Sequence, residues 1–291
     1  MKIILSRKGL DSGNSRMPSP VMPDGSLLSL PIPRGRGHCH SYNKLVFKGR
    51  PLSEIIKELN KGTLPFDDNA HADPDLDRDR LSRKFGWRPI FGQTGGDQTH
   101  LENQGVGIGD LFLFFGWFRS TEVTSDGRLQ FIGSPNGFHA IFGWLQVGQE
   151  HRVCGKSVKS LPEWALDHPH VATPDDFDSN NTIYISTEKL TLGGSELPIL
   201  GAGTFPSYTH ALRLSTPDGS RSLWTLPEWF YPDGKPPLSY HRNQRRWSSD
   251  GQHALLQSVA RGQEFVLNTQ YYPEAESWIK SLFDLGDDRK R

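Results

Sequence analysis

Apolar positions along this chain fall into short runs broken by turns, with two long exceptions in the middle. Ile3-Ile4-Leu5 predicts a buried first strand that stops at Gly9, and the stretch up to Pro33 is a long loop rich in Ser, Pro and Gly. Leu52, Ile55, Ile56 and Leu59 recur at helical spacing, so a helix is expected over 51–59, with Ser53 as N-cap and Asn60-Lys61-Gly62 ending it. Gly107 to Asp110 forms a turn that leads into a nearly continuous aromatic and aliphatic strand ending at Phe118. After the turn at Ser125-Asp126-Gly127 and a short strand over 129–132, a second long strand follows over 139–147. Apolar runs of this kind predict a β-meander covered on both faces. Further strands are expected at 182–186, 211–214 and 264–267. A closing helix is expected over 273–283, where Ala275, Trp278, Ile279 and Leu282 share one face.

Composition supports the same picture. In 291 residues the chain has 30 glycines and 21 prolines against 35% hydrophobic residues, which suits strands and loops better than long helices. The expected fold class is α+β and β-rich, with a mixed or antiparallel sheet or a small barrel at the core, a few peripheral helices and long loops. Residues 1–291 are expected to form one compact domain. Thirty-three basic residues balance thirty-three acidic ones, which removes the overall field that non-specific duplex DNA binders use and points to local contacts or a small ligand. Cys39 and Cys154 are too few for a disulfide framework, and free thiols in a reducing compartment are expected. The apolar opening is too short for a signal-peptide core, and no stretch reaches the roughly 18 apolar residues of a membrane span. A cytoplasmic protein with no membrane partner is therefore expected.

Several clusters carry candidate chemistry. Ser6-Arg7-Lys8-Gly9, with Asp11 and Ser12 close behind, places two cations at a strand end beside a glycine, which suits an anion such as phosphate. Lys8 could also act as nucleophile or base oriented by Asp11, and a solvated turn is the plain alternative. His71, Asp73 and Asp75 alternate along the chain, so an extended segment would put them on one side, where a divalent metal fits the carboxylates and a transition metal would also use His71. His100 or His139 could add a ligand. The competing reading is an acidic loop in ion pairs with Arg78, Arg80 and Arg83. His38-Cys39-His40 lacks a distant matching pair and reads as structural. The run from Tyr240 to Trp247 interleaves cations with aromatics, so His241 and Arg245 are candidates for holding phosphate, with a solvent-facing loop as the alternative.

The Gly109-Asp110 turn, its apolar strand and the return strand ending in Gly143-Trp144-Leu145-Gln146-Val147 resemble the small barrel of PUA-like domains of the ASCH and EVE types. That resemblance implies base stacking on Trp117 and Trp144, with Arg119 on phosphate; the plain alternative is that these aromatics are core. A wider similarity rests on Ser6-Arg7-Lys8-Gly9 with Asp11, Pro18-Ser19-Pro20, Ser29-Leu30-Pro31-Ile32-Pro33, His71 to Leu76, and Asn103-Gln104-Gly105 followed by Gly109 to Arg119. These motifs, running from Met1 to about Trp247, resemble the third of the nucleotide-modification-associated domain families of bacteria. Leu10 stands where that family has an aromatic residue. The resemblance implies a partner that is a nucleotide or modified nucleic acid, in DNA-modification or phage-conflict systems, and does not imply a reaction. Three functions are open: an enzyme modifying a nucleotide or flipped base, with Ser6, Arg7 and Lys8 on phosphate and Asp11, His71, Asp73 and Asp75 as acid, base or metal ligands; a non-catalytic reader using Trp117, Trp144 and Arg119; and a metal-dependent nuclease or phosphohydrolase built on the acidic segment.

Overall fold

The computed structural model describes residues 1–11, 13, 17–33, 40–65, 69–153, 155–217, 219–260 and 262–284. The expectations for Ser12, His38, Cys39 and Cys154 lie outside the described residues. Strand β1 (Lys2–Arg7) is followed by β2 (Ser19–Val21), helix α1 (Leu52–Leu59), β3 (Asn69–His71), β4 (Ile90–Gln93), α2 (Gly95–Asn103), β5 (Leu111–Val123), β6 (Leu129–Phe131), β7 (Phe138–Arg152), the single helical turn α3 (Pro169–Ala172), β8 (Thr182–Ser186), β9 (Ala202–Thr204), β10 (Glu264–Asn268) and α4 (Ala275–Asp284). The fold is α+β and strand-rich, and its main sheet is mixed. The order along that sheet is β10-β1-β5-β7-β8-β4, with β2 and β6 on β5 and β9 on β7.

The register explains how this sheet opens a site. Ile3 to Arg7 of β1 run parallel to Leu111–Phe115 of β5. The chain then leaves the sheet, and β2 takes over beside the same strand at Phe118 to Ser120. Between the two ladders lies the segment beginning at Lys8, whose amide still donates to the Phe115 carbonyl at 2.8 Å. Gly9 turns the chain there with φ of 82°, a value costly for a residue with a side chain.

The long strands β5 and β7 hold the core. Leu111 to Phe118 are buried on both faces, as a near-continuous apolar strand requires. Phe91 of β4 meets Phe112 and Phe114 edge-on at 5.1 and 5.2 Å, and Tyr184 of β8 stacks beside it at 5.9 Å. Each such ring contributes roughly 1.5–3 kcal/mol by leaving water. α4 adds Ala275, Ile279 and Leu282 to this cluster, whereas α1 buries Leu52, Ile55 and Ile56 in a separate one with Leu28, Leu30 and Tyr42.

Three expectations change. The meander does not close into a PUA-like barrel: among the described residues, β4 and β10 end the strand order without a backbone ladder between them. They meet instead through one side-chain hydrogen bond, Gln93 Nε2 to Glu264 Oε1 at 2.6 Å. The free edge of β4 is already occupied, because Ile90 exchanges backbone hydrogen bonds with Asp75. Ser53 does not cap α1; Pro51 takes that position, while the Ser53 hydroxyl donates to Asn43 inside. Residues 211–214 do not form a strand, since His210–Leu212 make a 3-10 turn and the His139 carbonyl takes the Leu214 amide. Among the described residues, no helix is long and apolar enough to cross a membrane.

Candidate functional site

The sequence alternation at His71 and Asp73 becomes a convergent pair because β3 ends at His71 and the chain then passes along the edge of β4. There Asp73 Oδ1 accepts the Gly92 amide at 2.8 Å. The same oxygen takes a hydrogen bond from His168 Nε2 at 3.1 Å. His168 Nδ1 accepts the His170 amide at 3.4 Å, so its proton resides on Nε2 and is directed at the carboxylate. Asp73 Oδ2 is left to face two imidazoles, His71 Nε2 and His170 Nε2, each 3.9 Å away.

His170 is held from every side. Its ring stacks on Phe177 with centroids 4.1 Å apart. On the other face lies Gly92, where a Cβ would stand only 2.3 Å from His170 Cγ. Asn181 donates through Nδ2 to the His170 carbonyl at 2.8 Å, so its Oδ1 is free to accept from His170 Nδ1 at 2.6 Å. That pair fixes the Nδ1–H tautomer and points the Nε2 lone pair at the Asp73 side. Burial lowers the His170 pKa to about 4 despite the nearby Asp73 carboxylate, so the ring is neutral near pH 7. For Asp73, burial favours the protonated form, but the hydrogen bond from His168 and the proximity of His168, His170 and His71 hold the carboxyl well below its ordinary range. One carboxylate and two imidazoles thus bring a ligand atom each to within 4.8 Å of one another. This donor set could hold a divalent transition metal.

The same cleft also carries positive charge. Lys8 Nζ reaches Glu264 Oε1 at 2.8 Å and lies 4.5 Å from the centre of the Phe91 ring. The Glu264 side chain is fully buried and that of Lys8 is 8% exposed. Ser6 Oγ donates to the same Glu264 oxygen at 3.1 Å. Arg7 is tied down by the Val259 and Ala260 carbonyls, both at 2.9 Å. Arg7, Lys8, Asp11, His71, Asp73, Gln93, His170 and Phe177 are among the groups around a cleft of about 320 Å³.

A family model described as nucleotide modification associated domain 3 matches residues 2–268. The chain belongs to that family. Neither a curated protein nor a solved structure matches it.

Within this family member the structure brings together Arg7, Lys8, Asp11, His71 and Asp73, holds the buried Ser6 beside Lys8 on the shared Glu264 oxygen, and places the other sequence candidates elsewhere. Asp75 is held by both terminal nitrogens of Arg83 at 2.6 Å each, as the ion-pair alternative anticipates. His100 bonds Ser239 and His139 bonds the Trp224 indole, so neither joins His71. Trp117 is buried, gives its indole N–H to Asn136, and has Arg221 over its ring at 4.1 Å. Trp144 is buried against Phe205 and Phe283. Arg119 donates to the Ile132 and Gly133 carbonyls. His241 is fully buried with both ring nitrogens engaged, Nδ1 on the Ser239 carbonyl and Nε2 on the Val259 amide, while Arg245 lies on the exposed surface. Trp117, Arg119, Trp144, His241 and Arg245 do not line the cleft.

Sequence reasoning missed His168, His170, Asn181, Gln93 and Glu264. One signal was present: His168-Pro169-His170 repeats the alternation of His71 and Asp73, with a proline suited to opening a helical turn.

Proposed function

We propose that this member of the nucleotide modification associated domain 3 family is an enzyme that modifies a nucleotide or a flipped base held in the cleft between β1, β4 and α3. One observation carries the reading. Cationic Arg7 and Lys8 share with a buried carboxylate and imidazole cluster one cleft of about 320 Å³, which lies in the size range of small-ligand sites. Lys8 and Arg7 suit the phosphate or an electron-rich base edge. Asp73 and the histidines suit proton transfer or metal-assisted chemistry at the far end. The family description supports a nucleotide as the substrate class. The reader alternative draws less support, because the Trp117 and Trp144 rings are already packed against protein.

Thermal unfolding of the purified full chain against a panel of nucleotides, nucleosides and modified bases tests this. A ligand present at 100 times its Kd adds about 2.7 kcal/mol. The shift is expected to vanish in the double variant Lys8→Met/Glu264→Gln, which removes the cation without leaving a buried charge, and to persist in Trp144→Phe. A shift that survives the first and disappears in the second would refute the enzyme-cleft reading in favour of the reader.

A further inference from the structure

We propose that His71, Asp73 and His170 form a three-ligand centre for one divalent first-row transition metal, with its remaining coordination positions open to the cleft. The inference rests on reading the cleft as the substrate site and adds what the site must hold to act. Two imidazole nitrogens and one carboxylate oxygen already converge, with both Nε2 atoms 3.9 Å from Asp73 Oδ2. A metal at about 2.0–2.2 Å from each would bring them to about 3.0–3.5 Å of one another, closing the two carboxylate–imidazole distances by roughly half an ångström and drawing together the two imidazole nitrogens, which lie within 4.8 Å of each other.

The surroundings argue for a metal rather than a simple ion pair. Each of the two fixed ligands has its non-ligating atom occupied by a partner that leaves the ligating atom available. Asn181 accepts the Nδ1 proton of His170, and Gly92 with His168 occupies Oδ1 of Asp73. Such outer partners orient metal ligands and set their tautomers. His71, Asp73 and His170 line the cleft, so an ion held by them would face it. Three protein ligands with open positions are the arrangement of reactive rather than structural metals, and the N,N,O donor set favours Fe(II), Mn(II), Co(II) or Zn(II) over Ca(II) or Mg(II).

The test is titration of the metal-stripped full chain with Zn(II) by calorimetry and with Co(II) by visible absorption. One equivalent is expected to bind. His71→Asn should weaken binding at least 10-fold, and Asn181→Ala, which touches only an outer partner, about 10–100-fold. His253→Ala, at an exposed histidine beside Asp250, should change nothing. Should His170→Asn fail to fold, His71→Asn carries the ligand test. Absence of stoichiometric binding to the folded wild type, or binding unchanged in His71→Asn and Asn181→Ala, overturns the proposal. Because the nucleotide panel is a separate experiment, the two ideas fail separately. Metal binding without any nucleotide shift retains the centre and removes the substrate class, and a nucleotide shift without metal binding does the reverse.

Discussion

Adding a single methyl group to Gly92 probes how tightly the cluster is built. An ideal Cβ there would stand 2.3, 2.4 and 2.8 Å from His170 Cγ, Cδ2 and Nδ1. Ordinary carbon contacts begin near about 3.5 Å, so the ring must retreat by roughly 1 Å. It has nowhere to go while its bonds hold, since Phe177 backs it at a centroid distance of 4.1 Å and Asn181 grips Nδ1 at 2.6 Å. Either the imidazole rotates and forfeits Asn181, or β4 moves away and stretches the Gly92 bond to Asp73. Overpacking of this kind destabilises by about 1–3 kcal/mol, partly offset by the backbone entropy that alanine removes from the unfolded chain. A misplacement of 1 Å in a reactive group can reduce turnover about 100-fold. Urea denaturation of Gly92→Ala is therefore expected to show a loss of about 1–2 kcal/mol, with metal affinity reduced more than 10-fold. Gly96→Ala, where a Cβ meets nothing within 4 Å inside α2, should be neutral or slightly stabilising. A Gly92→Ala protein as stable as wild type that binds metal and nucleotide normally would refute the packing argument.

Two further outcomes follow from buried polar groups. Lys8→Met alone strands the Glu264 carboxylate and should destabilise by about 3–5 kcal/mol, whereas adding Glu264→Gln should recover at least about 1 kcal/mol of it; additive effects in the denaturation cycle would mean that the pair is not coupled. Burial lowers the His241 pKa to about 4, against about 6.5 in the unfolded chain. Below pH 6.5 the unfolded state takes up a proton that the native state refuses. Stability should thus fall by about 1.4 kcal/mol per pH unit between 6.5 and 4 on this account, with no further loss from this group below. His241→Asn should flatten that slope in denaturation curves collected across the window, and an unaltered slope would exclude His241 as its source.

What could be foreseen from sequence divides along physical lines. β5 and β7 were legible because strands covered on both faces need unbroken apolar runs, and Leu111 to Phe118 supply one. α2 was not, because its nine residues bury only Gln98 and Leu101 and so carry no apolar stripe. It is held by polar links, such as the Tyr184 hydroxyl on Gln98, that leave no periodic trace. Half of the candidate site was visible as the alternation of His71 and Asp73. The rest depends on distant segments, since His170 reaches Asp73 only when a turn between β7 and β8 is laid against β4. Asp75 illustrates the converse: it fits the alternation, yet Arg83 and the Trp87 indole occupy it. Alternation fixes the side of a strand on which a residue emerges and leaves open which neighbour will claim it. The family resemblance carried further than any local rule, because it draws on motif order from Met1 to about Trp247, and the family model matches residues 2–268.

The missing ladder between β4 and β10 has a consequence for how the protein can change over evolutionary time. A seam fastened by the Gln93 and Glu264 side chains, with Lys8 between Glu264 and the Phe91 ring, is specified by side chains and not by the register of two backbones. Its width can therefore be reset by substitution at those positions while every other strand keeps its partner. A change in the width of the cleft need not rebuild the sheet. Shortening or lengthening that one clasp would resize the opening, much as a belt is let out by a notch.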